Sequence, residues 1–183
     1  MVQQEENRRQ SGGSSSAVRA SIEATLAFLR AELAKTQRLV QQQGQQSAEL
    51  RRQPQRLCSI RGVGLWTAAR VLAEIEAVRG VVDARQLAAY AGLTPRERPS
   101  GSSVHHPARL AKTGNSRLRR ALYLPAIVAM RHNPAVQALA ERLRARGKRP
   151  MVIVGAAMRK LLHLIYGVLT SGKPFDPAVA LAA

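Results

Sequence analysis

Ile22, Leu26, Leu29, Leu33, Thr36 and Val40 recur at alternating steps of four and three residues. That spacing is a heptad seam. Glu23, Arg30, Glu32, Lys35 and Arg38 lie outside it. A narrow seam with polar flanks predicts a two-helix coiled coil, rather than one amphipathic helix lying on a domain. Residues 41–54, rich in Gln with one Gly and one Pro, read as the end of that helix and a hinge. Residues 1–16, polar and rich in Ser and Gly, read as a disordered or frayed start.

From residue 55 the pattern predicts a compact helical domain running to about residue 177, with residues 178–183 as a tail. A helix is expected over about 63–77. Asp83-Ala-Arg-Gln86 has the form of a capping box for a short helix ending at Ala91-Gly92. The loop 92–114 carries Pro95 and Pro99 and is expected to be irregular. Asn115 is a candidate cap for a helix to about residue 131, kinked or broken at Pro125. Asn133-Pro134 opens another helix that stops at Gly147, and a last one spans about 150–169, closed by Ser171-Gly172. The run 151–170 is apolar, but Arg159, Lys160 and His163 within it favour a buried core helix over a membrane span. There is no alternating strand pattern of useful length. The predicted class is all-α.

Composition sharpens this picture. Apolar residues make up 45% of the 183 but aromatic residues only 3%, so the core is built from Leu, Ala, Val and Ile, which favours packed helices. Lys and Arg total 29 against 11 Asp and Glu, a formal charge of +18. Such an excess gives affinity for a polyanion, driven by counterion release. Most of the cations are arginines, which fork onto two phosphate oxygens at once. An anionic membrane is the weaker candidate, since no helix joins a continuous basic face to bulky aromatics. The single cysteine, Cys58, excludes an internal disulfide and is expected to pack as a small apolar residue. The polar first residues do not resemble a signal peptide, and a cytoplasmic location is expected.

Two segments carry candidate chemistry. Leu57-x-x-Ile60-x-Gly62-Val63-Gly64-x-x-x-Ala68 has the form of a helix-hairpin-helix element. Its glycines permit a tight turn close to a phosphate, and the next helix offers unpaired N–H groups and a positive dipole end. Contacts of this kind hold backbone without reading bases. The bland alternative is a tight turn into a buried helix. Trp66 is expected to be a packing anchor rather than a stacking platform.

The second segment runs from Gly92 to Arg120. It sets Ser100, Ser102 and Ser103 around Gly101, among Arg96, Arg98, Arg109 and Lys112, and ends in a helix opening with Arg117, Arg119 and Arg120. A serine held among cations beside a phosphodiester suits strand transfer through a protein–DNA ester. Arginine is not favoured at a helix N-terminus on dipole grounds, which argues for an external anion there. The expected phosphate-binding set is therefore Gly62, Val63, Gly64, Arg96, Arg98, Arg109, Lys112, Arg117, Arg119 and Arg120. His105 and His106 are adjacent, His132 and His163 are remote, and no acidic pair converges, so no metal ligand is assigned.

With these motifs in place, the chain resembles the carboxyl-terminal part of insertion-sequence transposases of the IS-one-ten type, the Piv-related DEDD recombinases guided by a bridge RNA. The resemblance covers about residues 17–177. It rests on Ser59-Ile-Arg-Gly-Val-Gly64 with Thr67-Ala-Ala, on Arg85-Gln-Leu-Ala-Ala-Tyr-Ala-Gly-Leu-Thr-Pro-Arg96, on Ser100-Gly-Ser, on Lys112-x-Gly114-Asn-x-x-Leu-Arg119, and on Met158-Arg-Lys-Leu161. It implies Ser100 as the nucleophile, with Ser102 and Ser103 as fallbacks. It also implies a preceding coiled coil, self-association through residues 18–43, and DNA and a structured guide RNA as partners. The family's divalent metal, Mg, belongs to an amino-terminal acidic domain with no counterpart here, so no cofactor is expected in this chain. On this reading the chain is a truncated gene, a fragment or the product of an internal start. His105-His106-Pro107 departs from the Arg and Gly more usual in the family. The competing interpretations are a non-catalytic nucleic-acid-binding module and a coiled-coil interaction protein.

Overall fold

The computed structural model describes residues 1–10, 15–46, 48–76, 83–96, 99–100, 104–105, 109–111 and 113–182. The chain divides into two compact units, Met1–Arg51 and Arg52–Ala183. Helices dominate, as the hydrophobic spacing predicts.

In the first unit, α1 (Val2–Gln10) packs against α2 (Ser16–Gln46). The polar start is therefore helical over residues 2–10, where the sequence suggested a frayed segment. Its charges make the helix serviceable: Arg8 pairs with Glu5 one turn away, and Glu6 accepts from Arg30 of α2 at 2.7 Å. Along the seam of α2, Leu26 is 2% exposed while Leu33 is 51% exposed. Val40 is exposed as well.

α3 (Ala48–Cys58) carries the chain into the second unit with Pro54 inside it. The stretch read as a hinge is thus helical on both sides of residue 47. α4 (Leu65–Glu76), α5 (Ala84–Tyr90), α6 (Ser116–His132), α7 (Pro134–Ala145), α8 (Pro150–Ser171) and α9 (Pro177–Ala182) follow. α6 and α8 form the centre: α6 packs on α4, α7 and α8, and α8 also on α5 and α7. Leu118, Leu122, Leu161, Leu162 and Ile165 are fully buried in this core. α8 is long and apolar enough to cross a membrane by length and composition, with half of its most apolar window buried. Its packing on three helices makes it a core helix. Of residues 178–183, expected to be a tail, 178–182 are helical within α9.

The caps act locally. Asp83 accepts from the Gln86 N–H at 2.6 Å, and Asn115 and Asn133 cap α6 and α7 through their Oδ1 atoms. Pro125 lies inside α6 without ending it.

Candidate nucleic-acid interface

The helix-hairpin-helix pattern folds as two helices joined by a tight turn over residues 59–64. Leu57, Ile60, Val63 and Ala68 are all buried, so the apolar positions of the motif anchor the turn from beneath. Gly62 has φ +106°, and a Cβ built there would stand 2.9 Å from Ala129 Cβ and 3.0 Å from the Pro125 carbonyl oxygen. This glycine is needed to seat the turn on α6. Gly64 differs, since a Cβ there would meet nothing within 4 Å. Val63 is corrected: its side chain is buried, and its N–H donates to the Ile60 carbonyl at 2.9 Å. It has no free N–H for an anion. The Gly64 carbonyl accepts from the Ala68 N–H, so α4 starts at the apex of the turn with its first N–H groups lacking helical partners.

Trp66 and Leu65 are 43% and 48% exposed beside that apex, so Trp66 is not the packing anchor the sequence suggested. Arg61, also exposed, adds a cation to the turn that pattern matching overlooked. Asn133 ties the turn to the cap of α7, its Nδ2 standing 3.5 Å from the Arg61 carbonyl.

The loop after α5 is more ordered than expected. β1 (Pro95–Arg96) pairs antiparallel with β4 (Arg109–Leu110), and β2 (Pro99–Ser100) with β3 (Val104–His105). Two short antiparallel ladders thus pair the described parts of this segment, called the arm below. Ser100 pairs with Val104 in the last described rung, and Arg96 is the register partner of Arg109. Arg98, Ser102, Ser103, His106 and Lys112 lie outside the described residues.

The root of the arm is fixed on three sides. Ala111 N–H donates to the Thr94 carbonyl at 2.9 Å, and Leu110 packs over Gly155 of α8, where a Cβ would come within 3.0 Å of Leu110 Cδ1. Gly114 has φ +112°, and a Cβ there would overlap the Tyr90 carbonyl. The Asn115 N–H donates to that same carbonyl at 2.7 Å. Asn115 Nδ2 then donates to Glu74 Oε2 at 2.6 Å and to Tyr90 Oη at 2.9 Å. One asparagine therefore caps α6 and joins it to α4 and α5. The sequence shows the cap, but not Glu74 and Tyr90, which lie 41 and 25 residues away.

The three arginines of α6 separate into two roles. Arg119 Nη1 donates to the Ala91 carbonyl at 2.9 Å, bracing the end of α5. This bond gives Arg119 a structural role at the junction of α5 and α6. Arg117 and Arg120 are both exposed.

Charge is unevenly distributed. Residues 52–183 hold 22 Lys and Arg against six Asp and Glu, which places +16 of the net +18 in the second unit. The ion pairs found among the described residues all lie in the first unit. Such an excess of cations in one unit repels itself, a state that a polyanion relieves.

The second unit matches the sequence profile of the Transposase IS116/IS110/IS902 family over residues 54–141, a span that includes both the hairpin turn and the arm. The chain belongs to this transposase family. Among similar proteins, the pilin gene-inverting protein of Moraxella bovis is 37% identical over 132 residues, covering 72% of this chain and 41% of that protein. The pilin gene-inverting protein of Moraxella lacunata is 38% identical over 124 residues, 67% of this chain and 38% of the relative. The insertion element IS110 uncharacterized 43.6 kDa protein of Streptomyces coelicolor is 33% identical over 120 residues, 66% and 29% of the two chains. This transposase-family chain spans about two fifths of the length of the Moraxella relatives.

Two titratable groups are shifted. Cys58 is exposed at the end of α3 rather than packed, and its partial burial pushes the thiol above its ordinary value. His163 on α8 is held below the usual imidazole range by burial first, then by Arg159, Lys160 and Arg85, with Asp83 opposing. Its Nε2 is buried without a hydrogen-bond partner. Among the described residues no three His, Cys, Asp or Glu side chains gather to hold a metal ion.

Proposed function

We propose that the second unit is the DNA-binding, serine-bearing part of an insertion-sequence transposase, acting on DNA phosphodiesters. The observation that carries this is the coincidence of the family match over residues 54–141 with a unit of charge +16 that displays a hairpin turn and a serine-bearing arm. In this function the apex at Gly64 and the start of α4 hold duplex backbone without regard to sequence. Arg61, Arg117 and Arg120 add phosphate contacts. DNA is the partner, with a guide RNA and a second copy of α2 as further partners in the assembled enzyme.

The arm supplies the nucleophile. Ser100 Oγ bonds to phosphorus as a bond from phosphorus to a deoxyribose oxygen breaks, and the proton leaving serine is balanced by one taken up by the departing sugar oxygen. A serine hydroxyl is a weak nucleophile until cations stabilise the charge developing at phosphorus. Arg96 and Arg109, partners in the rung at the root of the arm, are the stabilisers in this scheme, joined by Arg98, Lys112 and Arg117.

The test is a denaturant-stable adduct between the family's full-length protein and a cleavable DNA substrate. Ser100→Ala should abolish the adduct while leaving DNA binding intact. Adduct formation by Ser100→Ala but not by Ser102→Ala or Ser103→Ala moves the nucleophile along the arm. Adducts in all three variants and in the triple variant refute these serines as the nucleophile, and no adduct from the wild-type protein refutes covalent catalysis and leaves a non-catalytic DNA-binding module.

A further inference from the structure

A cavity of about 320 Å³ opens in the second unit, lined by Arg52, Gln55, Arg56, Ser59 and Pro174. Arg52 and Arg56 are one helical turn apart on α3. Two like charges at that spacing repel and destabilise a helix unless something lies between them. Neither forms an ion pair with a described carboxylate. The nearest acid in sequence to Pro174 is Asp176, whose Oδ1 already accepts the Ala178 N–H at 2.8 Å.

The floor of the cavity is held in place. Ser59 Oγ donates to the Arg56 carbonyl at 2.6 Å and accepts the Phe175 N–H at 2.7 Å, stapling residues 174–175 to the start of the hairpin turn. Arg56 Nη1 would stand 3.7 Å from a Cβ at Gly172, the residue that caps α8, so the negative end of that helix dipole accounts for Arg56 in part. It does not account for Arg52. Lys173, the neighbour of Pro174 in sequence, is exposed.

We propose that this cavity is a second phosphate site, taking one backbone phosphate of the nucleic acid that the hairpin turn grips. The two guanidiniums of α3 supply forked donors to its oxygens, and Gln55 supplies an amide. Ser59 begins the turn that ends at Gly64, so the cavity and the apex belong to one continuous piece of backbone. The inference rests on the DNA-binding function proposed above, and the experiment separates the two.

Binding of the full chain to a labelled DNA duplex would be measured across a salt series for the wild type, Arg52→Gln and Arg52→Gln/Arg56→Gln. Arg144→Gln/Arg146→Gln serves as a charge-matched control. Arg144 lies in the last turn of α7 and Arg146 caps it, ahead of the start of α8, whose 22 residues at about 1.5 Å each set its two ends about 33 Å apart. The expected result is a slope of log affinity against log salt flattened by about 0.9 in the cavity variants, the share of a single neutralised phosphate. Affinity should fall roughly tenfold, as expected when one charge-assisted hydrogen bond is removed. The control slope should stay at the wild-type value. Arg52→Gln removes no described bond, so it reports on binding even if Arg56→Gln weakens the fold. Unchanged slopes in the cavity variants, or an equal change in the control, overturn the site while the DNA-binding function stands. Flat salt dependence in the wild type overturns the DNA-binding function itself. Calorimetry with inorganic phosphate completes the set: phosphate binding abolished in Arg52→Gln, with no change in the duplex slope, would make the cavity a free-phosphate site and refute the backbone assignment.

Discussion

Gly62 and Gly64 sit two residues apart in one motif, yet the structure predicts opposite consequences for the same substitution. Gly62→Ala must place a Cβ on backbone at φ +106°, and that Cβ would be pressed to 2.9 Å from Ala129 Cβ and 3.0 Å from the Pro125 carbonyl oxygen. The conformational strain is of order 1–3 kcal/mol. Crowding a packed interface adds about 1–3 kcal/mol, because the obstacles include α6 backbone that cannot rotate away. A loss of roughly 2–6 kcal/mol at about 3 °C per kcal/mol lowers the melting temperature by roughly 6–18 °C in a unit of this size. Gly64→Ala meets open space and forfeits only a favourable helix-capping residue, about 1 kcal/mol. Its effect should appear in binding instead: removing one charge-assisted hydrogen bond, about 1.5 kcal/mol, weakens duplex affinity about tenfold. Thermal melting followed by circular dichroism and duplex binding well below both transitions separate the two effects. A Gly62→Ala variant melting within about 2–3 °C of wild type, the equivalent of 1 kcal/mol, would refute the packing argument. A Gly64→Ala variant with wild-type affinity would remove the apex from the DNA interface.

Asn115→Ala deletes the cap of α6 and leaves Glu74 and Tyr90 without their shared donor, which should cost about 2–4 kcal/mol by chemical denaturation; a cost below about 1 kcal/mol would mean that the junction is not structural. Leu33 is half exposed on the seam of α2, so Leu33→Asp should leave the melting of an isolated chain unchanged while turning a self-associated species into monomers by sedimentation; an unchanged mass refutes pairing through the seam. His163 has a folded-state pKa below its unfolded value, so between those two values the unfolded chain holds the extra proton and stability rises with pH. The stabilisation from the neutral imidazole is complete above about pH 6.5 and declines as pH falls below it. His163→Leu should remove that portion of the acid sensitivity and, by deleting an unpartnered buried nitrogen, raise neutral-pH stability by about 1 kcal/mol; an acid melting profile identical to wild type would refute it.

The elements legible in the sequence are those whose cause is local. Asp83, Asn115 and Asn133 each cap a helix through their own side chains, so residue type and the following apolar spacing suffice to place α5, α6 and α7. The apolar positions of the hairpin pattern are buried as well, Leu57 on α3 and Ala68 on α4, with Ile60 and Val63 in the turn between them. Where the cause is a distant partner, residue type misleads. Arg119 has the same neighbours in sequence as Arg120 but finds the end of α5, and Gly62 resembles Gly64 until Ala129 arrives beneath it. Cys58 and Trp66 show the reverse case: both are types that usually pack, and both lie at the ends of helices that turn them outward.

The arm is the least legible segment, and its prolines show why. Pro95 and Pro99 argue against strands, since a proline cannot donate to a ladder. Each ladder here has only two strands of two residues, so every strand is an edge and a missing donor can face outward. Rungs so short add little stability of their own. The arm instead draws its direction from its root, where Leu110 meets Gly155 and where Gly114 and Asn115 close on Tyr90. A segment anchored firmly at one end and weakly paired along its length suits a nucleophile that must reach a phosphodiester held elsewhere on the protein. The position of Ser100, at the last described rung, is then set by residues some ten or more positions away in sequence. Substitutions at the root, such as Gly155→Val or Gly114→Ala, should therefore impair strand transfer as severely as changes near the serine itself. Strand transfer at the wild-type rate in both variants, measured with the full-length protein, would show that the arm takes its aim from the DNA instead.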